Sequence, residues 1–156
     1  MALLGTQRRL VSANLILNSI SQPKHRFIAW LATKERLLTK SGLIKLNIQV
    51  DDATCCLCTS SVIETAKHLF AECCWFKTIR QALLDWLGIH LLQGNVQQVF
   101  DSIQRQHWKC FQKNIVAAVW GALIYHTWRA RNRRIFQGQS AHTERVITQI
   151  KQELFE

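Results

Sequence analysis

A chain of 156 residues that is 48% apolar is long enough for one packed core, and its single Pro and six Gly suit a few long helices. Collagen-like, low-complexity and disordered classes are excluded, and the most apolar run, Ile115–Tyr125, is eleven residues, too short to span a bilayer, so no membrane partner is expected. Twenty Lys and Arg against ten Asp and Glu give a net charge of +10, which favours polyanionic partners, nucleic acid first.

The charge is partitioned. Residues 1–50 hold eight basic residues and one acid, residues 51–100 three and five, and residues 101–156 nine and four. Two basic flanks thus enclose a mildly acidic middle, an excess larger than solubility requires.

In chain order, residues 1–21 read as a helix with Leu10, Val11, Leu15 and Ile16 as a partial stripe. The first 34 residues lack any acid, the composition of an organellar transit peptide or equally of an ordinary basic helix. Pro23 opens the next element. From His25 to about Leu38 the helical period places Phe27, Trp30, Leu31, Lys34, Leu37 and Leu38 on one face, which is expected to be the buried one. Thr39 reads as the N-cap of a short second helix through Leu43 and Ile44. The two form an αα-hairpin whose charged face carries Lys24, Arg26, Lys34, Arg36, Lys40 and Lys45.

Residues 48–54, with Ile48 and Val50, are expected as a connector or short strand, and Asp51-Asp52 as loop. After His68 comes a helical stretch with Phe76, Ile79, Leu83, Trp86 and Leu87 inward, ended by Gly88. Residues 95–107 form an amphipathic helix on Val96, Val99, Phe100 and Ile103. Trp108 to Phe136 is one long helix, or two broken near Gly121, with Phe111, Ile115, Val119, Ala122 and Leu123 in the core. Gly138 stops it, and a last helix at about 142–155 presents Val146, Ile147, Ile150 and Leu154.

Five of the six cysteines lie between Cys55 and Cys74. Adjacent pairs bridge poorly and no secretory signal precedes them, so a metal in a reducing compartment fits better than a disulfide framework. Cys55, Cys58, His68 and Cys73 form the pattern C-x2-C-x9-H-x4-C, a donor set that Zn2+ takes in a closed tetrahedral, structural shell. Cys56 with Cys58 is too tight for the usual turn. On spacing, Cys73 or Cys74 as the last ligand stays open. Buried free thiols beside a core His are the competing account.

The run from Trp128 to Phe136 carries Arg129, Arg131, Arg133 and Arg134. Four Arg in six positions exceed what a helix C-terminal dipole explains, and the guanidinium fork suits phosphate. These four and the hairpin cations are the candidate nucleic-acid contacts, for affinity rather than sequence reading. Of the six Trp, only Trp75, beside the zinc loop, is a stacking candidate; the others belong to apolar stripes. His25, His90, His107, His126 and His142 have no ligand-type spacing and are assigned to structure or surface. No nucleophile elbow, phosphate loop or metalloprotease motif occurs, so no enzyme is expected.

Several stretches together resemble a known family. They are Pro23-Lys24-His25-Arg26-Phe27, Trp30-Leu31-Ala32, Arg36-Leu37-Leu38-Thr39, Leu43, Cys55-x2-Cys58, Glu64-x3-His68-Leu69-Phe70-x2-Cys73 and Ile79. This series resembles the zinc-binding domain C-terminal to the reverse transcriptase of plant LINE-type (non-LTR) retrotransposons. Trp128-x2-Arg131-Asn132-x-Arg134-x-Phe136 is similar to a stretch common downstream of that domain. Arg80 stands where the family usually has Trp, and Cys74 where it often has Pro.

The resemblance implies Cys55, Cys58, His68 and Cys73 as ligands of Zn2+, and a basic surface for template RNA or target DNA. It implies no polymerase or endonuclease within this chain, hence a fragment, a relic or a domain put to new use. By resemblance the compartment is nucleus or cytoplasm; the acid-free N-terminus would suit a mitochondrion.

The expected fold is therefore mostly α: an αα-hairpin, a small CCHC zinc-knuckle-like module and a C-terminal helical bundle. The expected divisions are residues 1–22, 23–90 and 91–156. The expected function is non-catalytic binding of zinc and of RNA or single-stranded nucleic acid. The alternatives are a structural subunit of a ribonucleoprotein such as an organellar ribosome, or a non-functional retroelement remnant.

Overall fold

The computed structural model describes residues 13–155, and its organising element is a helix of 28 residues, α5 (Cys110–Gln137). From Val116 to Ile124 every residue of α5 is buried, whichever way its side chain points. A helix apolar on all sides must be surrounded, and this one is. Packed against it are α1 (Pro23–Thr33), α3 (Cys74–Leu87), α4 (Val96–Arg105), α6 (Thr143–Phe155) and a five-residue π-helical turn, His68–Glu72. A short helix, α2 (Lys40–Lys45), lies between α1 and the metal loop. Gly121 does not break α5, which runs through it.

Local signals act as read. Thr39 Oγ1 accepts from the Gly42 N–H at 3.2 Å and caps α2. Gly88 and Gly138 end α3 and α5 at φ of 71° and 64°, backbone that any L side chain would strain. Asn95 and Gln98 exchange side chain–backbone bonds at 2.8 and 2.9 Å, a capping box that starts α4. The expected core of α4 (Val96, Val99, Phe100 and Ile103) and the inward Val146 and Ile150 of α6 are buried.

Other expectations need correcting. α1 ends at Thr33 rather than near Leu38, because Glu35 turns into the left-handed region at φ 53°. Its buried face is His25, Ala29 and Ala32, while Phe27 and Trp30 are 60% and 38% exposed. The reason is close approach. Gly121 of α5 faces Ala29 so nearly that a Cβ built on it would lie 3.9 Å from the Ala29 Cβ. A large side chain on that face would hold the helices apart.

Phe111, expected in the core, is 67% exposed at the first turn of α5, and Trp86 of α3 lies at the rim, edge-on to Phe155. Of the two readings of residues 48–54, the structure has the connector and not the strand. Among the described residues the β content is one isolated antiparallel bridge, Thr54 to Ile63. The stretch after His68 is a π turn, a break at Cys73 and then a new helix.

The expected N-terminal helix lies mostly outside the described residues; residues 13–16 are helical. One hydrophobic cluster draws members from Leu15 to Ile150. Among the described residues no helix is long and apolar enough to cross a membrane.

Candidate metal centre and basic surface

The first two cysteines sit in a narrow loop. Its base is closed by the Cys55 N–H on Val62 O at 2.8 Å and the Glu64 N–H on Ala53 O at 2.9 Å. Just before it, Asp52 Oδ1 accepts from the Thr54 N–H and hydroxyl, which holds its carboxyl below the usual range and makes Asp51-Asp52 an exposed turn rather than a metal pair.

The other two candidates bracket the π turn. The Thr65 hydroxyl accepts the His68 N–H at 3.0 Å, and the Cys73 N–H returns to His68 O at 2.7 Å, five residues back. This wide turn lets residues five apart in sequence face one point.

Cys55, Cys58, His68 and Cys73 converge, with one donor atom from each within 4.8 Å of all the others. Cys55 Sγ and Cys73 Sγ are 3.9 Å apart, and Cys58 Sγ lies 3.3 Å from His68 Nε2. Zn–S of about 2.3 Å and Zn–N of about 2.0 Å give tetrahedral edges of about 3.5 to 3.8 Å, so the separations fit Zn2+. All four residues are buried. The Cys73 thiol, hydrogen-bonded to the Cys55 sulfur, lowers the Cys55 pKa to about 5; the same bond, with burial, pushes Cys73 up. One thiolate is thus favoured even before an ion displaces the remaining protons. Three thiolates and one imidazole leave no position for a substrate.

The neighbouring cysteines point elsewhere. The Cys56 thiol donates to Arg131 O at 3.8 Å, and burial raises its pKa. Cys74 is exposed at the first turn of α3. The position is open to a Pro, which the first turn of a helix accepts.

The cations divide in a way the sequence did not suggest. Lys24, Lys34, Arg36, Lys45, Arg133 and Arg134 are exposed, and Arg26 and Arg129 half-buried. Two do not belong to the surface. Lys40 is 8% exposed, its ammonium donating to Thr54 O at 2.7 Å, so it braces the metal loop. Arg131 is 4% exposed, donates to both oxygens of the fully buried Glu64, and lies over the Trp128 ring at 4.6 Å. A guanidinium so buried and paired is out of reach of a phosphate. Trp75 is likewise withdrawn as a stacking platform; it is 7% exposed and its indole N–H donates to Ala141 O.

Of the remaining eight cations, Lys24, Arg26, Lys34, Arg36 and Lys45 belong to the α1–α2 segment, and Arg129, Arg133 and Arg134 to the C-terminal half of α5. Arg129 and Arg133, one turn apart, line two clefts. One, of about 410 Å³, adds Tyr125, Trp128 and Phe136, the last 76% exposed. The other, of about 240 Å³, adds His126, His142 and Arg145. Arg145 and Phe136, which line these clefts, were not among the candidate residues read from the sequence; the signal for Phe136 was its place at the end of the arginine run.

A family model described as zinc-binding in reverse transcriptase matches residues 2–79, half of the chain, and that description is of an accessory domain rather than of the polymerase. No curated protein and no solved structure matches.

Proposed function

The chain belongs to the family of zinc-binding domains of reverse transcriptases, and on that premise we propose that it is a zinc-stabilised module that binds RNA or single-stranded nucleic acid. The ion is held by Cys55, Cys58, His68 and Cys73, and it fastens the loop after α2 to the helices that follow. The convergence of four buried donors supports this role. The stretches from Pro23 to Ile79 and from Trp128 to Phe136 support the narrower descent from a plant LINE-type element.

For nucleic acid, the observation that carries the reading is the pair of clefts sharing Arg129 and Arg133. Guanidiniums there sit beside an exposed aromatic ring, Phe136, the combination with which single strands are held by phosphate contact and stacking. Arg134 and Arg145 extend the patch, and Lys24 to Lys45 supply a second one. Filter binding of a single-stranded RNA across a salt series tests it. Affinity should fall steeply as salt rises; a flat response removes the proposal.

A structural role in a larger ribonucleoprotein has one observation in its favour. Phe27, Trp30 and Leu38 stay exposed. Co-sedimentation with a stable particle is its test, and a free monomer in extracts counts against it.

A further inference from the structure

The histidines outside the Cys3His centre are not scattered. His25 on α1 and His126 on α5, far apart in sequence, meet Glu153 on α6, and one donor atom from each lies within 4.8 Å of the other two. Glu153 Oε2 is 2.9 Å from His126 Nε2 and 3.2 Å from His25 Nε2. His25 is fully buried, and neither of its ring nitrogens makes a hydrogen bond; the carboxylate is close to Nε2 but off the line along which an N–H would donate. A buried imidazole without a partner is costly and needs an explanation.

An ion would supply one. In a tetrahedral site the ligands do not point at each other; each points at the metal, and neighbouring donors sit about 3.3 Å apart for first-row N and O distances. At His25 the oxygen lies off the ring-nitrogen axis in that way, while His126 Nε2 is hydrogen-bonded to the same oxygen and would exchange that bond for the ion. We propose that His25, His126 and Glu153 form a second divalent-metal site, of two imidazoles and one carboxylate, tying α1, α5 and α6 together and selective for the Zn2+ and Co2+ class.

Donor chemistry agrees. Two imidazoles and a carboxylate suit Zn2+ and its first-row neighbours rather than Ca2+ or Mg2+. Burial lowers the His25 pKa to about 4 and also lowers that of His126, so both rings are neutral at neutral pH and an ion need displace no proton beyond the ring N–H that His126 gives to Glu153. Burial opposes ionisation of Glu153, but the hydrogen bond from His126, with smaller effects including one from Gln149, brings its pKa below the usual value. His126 lines the cleft shared with Arg129, Arg133 and Arg145, which gives an ion and a fourth ligand a way in. Lys24 and Arg129 oppose a cation here, since both act on these rings as positive charges. The second ion is therefore held more weakly than the one in the thiolate centre, and a mild chelator removes it first.

The test uses the full chain, reduced and titrated with Co2+ alone. Metal per chain is counted by native mass spectrometry, and the thiolate-to-cobalt charge-transfer band reports the Cys3His centre separately. Two ions are expected per wild-type chain, the second adding ligand-field absorption without thiolate intensity. Glu153→Gln keeps an oxygen acceptor for His126 and should hold one ion with the thiolate band intact; far-UV circular dichroism checks its fold. Saturation at one ion with a complete thiolate band overturns the second site, as does a Glu153→Gln chain that still takes two. One ion without a thiolate band, lost in Glu153→Gln, would overturn the Cys3His centre and leave this site standing.

Discussion

Arg131 holds Glu64 across a sequence separation of 67, donating from Nε and Nη2 at 2.8 to 3.2 Å, with the two residues 4% and 0% exposed. The same carboxylate accepts the Lys40 N–H at 2.9 Å, and the carbonyl of Glu64 accepts from Ser41. One acid thereby joins the start of α2, the base of the metal loop and the central helix. The family match stops at residue 79, so the partner of its buried acid lies outside the matched stretch.

Removing one partner strands the other charge. Arg131→Ala should destabilise the zinc-loaded chain by about 3 to 5 kcal/mol in urea unfolding, because Glu64 stays buried without compensation. Arg131→Lys should recover only part of this, since an ammonium lacks the fork that meets both oxygens. The double variant Glu64→Leu, Arg131→Met should cost less than Arg131→Ala. An Arg131→Ala chain as stable as wild type would refute the account.

Adjacent cysteines should behave oppositely. Cys73→Ser removes a donor from the cluster and should abolish stoichiometric zinc, with loss of cooperative unfolding in the loop and π turn. Cys74→Ser changes an exposed thiol and should leave zinc content unchanged by native mass spectrometry. Retained zinc in Cys73→Ser would show that the last ligand is a different residue.

Arginines on one helix should separate by role. Arg129→Ala and Arg133→Ala should each weaken RNA binding and lower the slope of log affinity against log salt by about 0.7 to 1. Phe136→Ala should weaken it with the slope unchanged, as expected for stacking. Arg131, occupied by Glu64, has no phosphate to lose, so in Arg131→Lys the slope of the folded fraction should equal wild type.

The central helix has one position open to improvement. A Cβ on Gly121 would meet Ser21 Oγ at 3.6 Å and the Ala29 Cβ at 3.9 Å, ordinary contact distances. Gly121→Ala should therefore raise stability by roughly 0.5 to 1 kcal/mol through helix propensity. A lower melting temperature would mean that α1 and α5 are closer than this spacing allows.

Features written in a few neighbouring residues were legible: the caps at Thr39, Gly88 and Gly138, the amphipathic α4, and the four-donor pattern. Those that depend on distant partners were not. The arginine run reads as surface because nothing near Arg131 reveals Glu64, although both residues belong to the stretches that carry the family resemblance. The stripe of Phe27 and Trp30 reads as core because large apolar residues usually are; the choice fell to Ala29 and Ala32 because α1 needed small side chains to approach Gly121. His25 and His126 share no spacing, since they meet only once α1 lies on α5. Cys73 rather than Cys74 joins the cluster because of the break between the π turn and α3, a change of backbone that spacing does not encode.

That turn makes length, more than composition, the vulnerable property of the segment between His68 and Cys73. An ordinary helix advances by about 100° per residue, so losing one residue here would draw the backbone toward a regular α-turn and swing the Cys73 side chain about a quarter-turn away from the other donors. The half-buried Ala71 tolerates exchange for another small residue, but its deletion would act like the removal of a ligand. A slippage of one codon would be read by the protein as the loss of a metal.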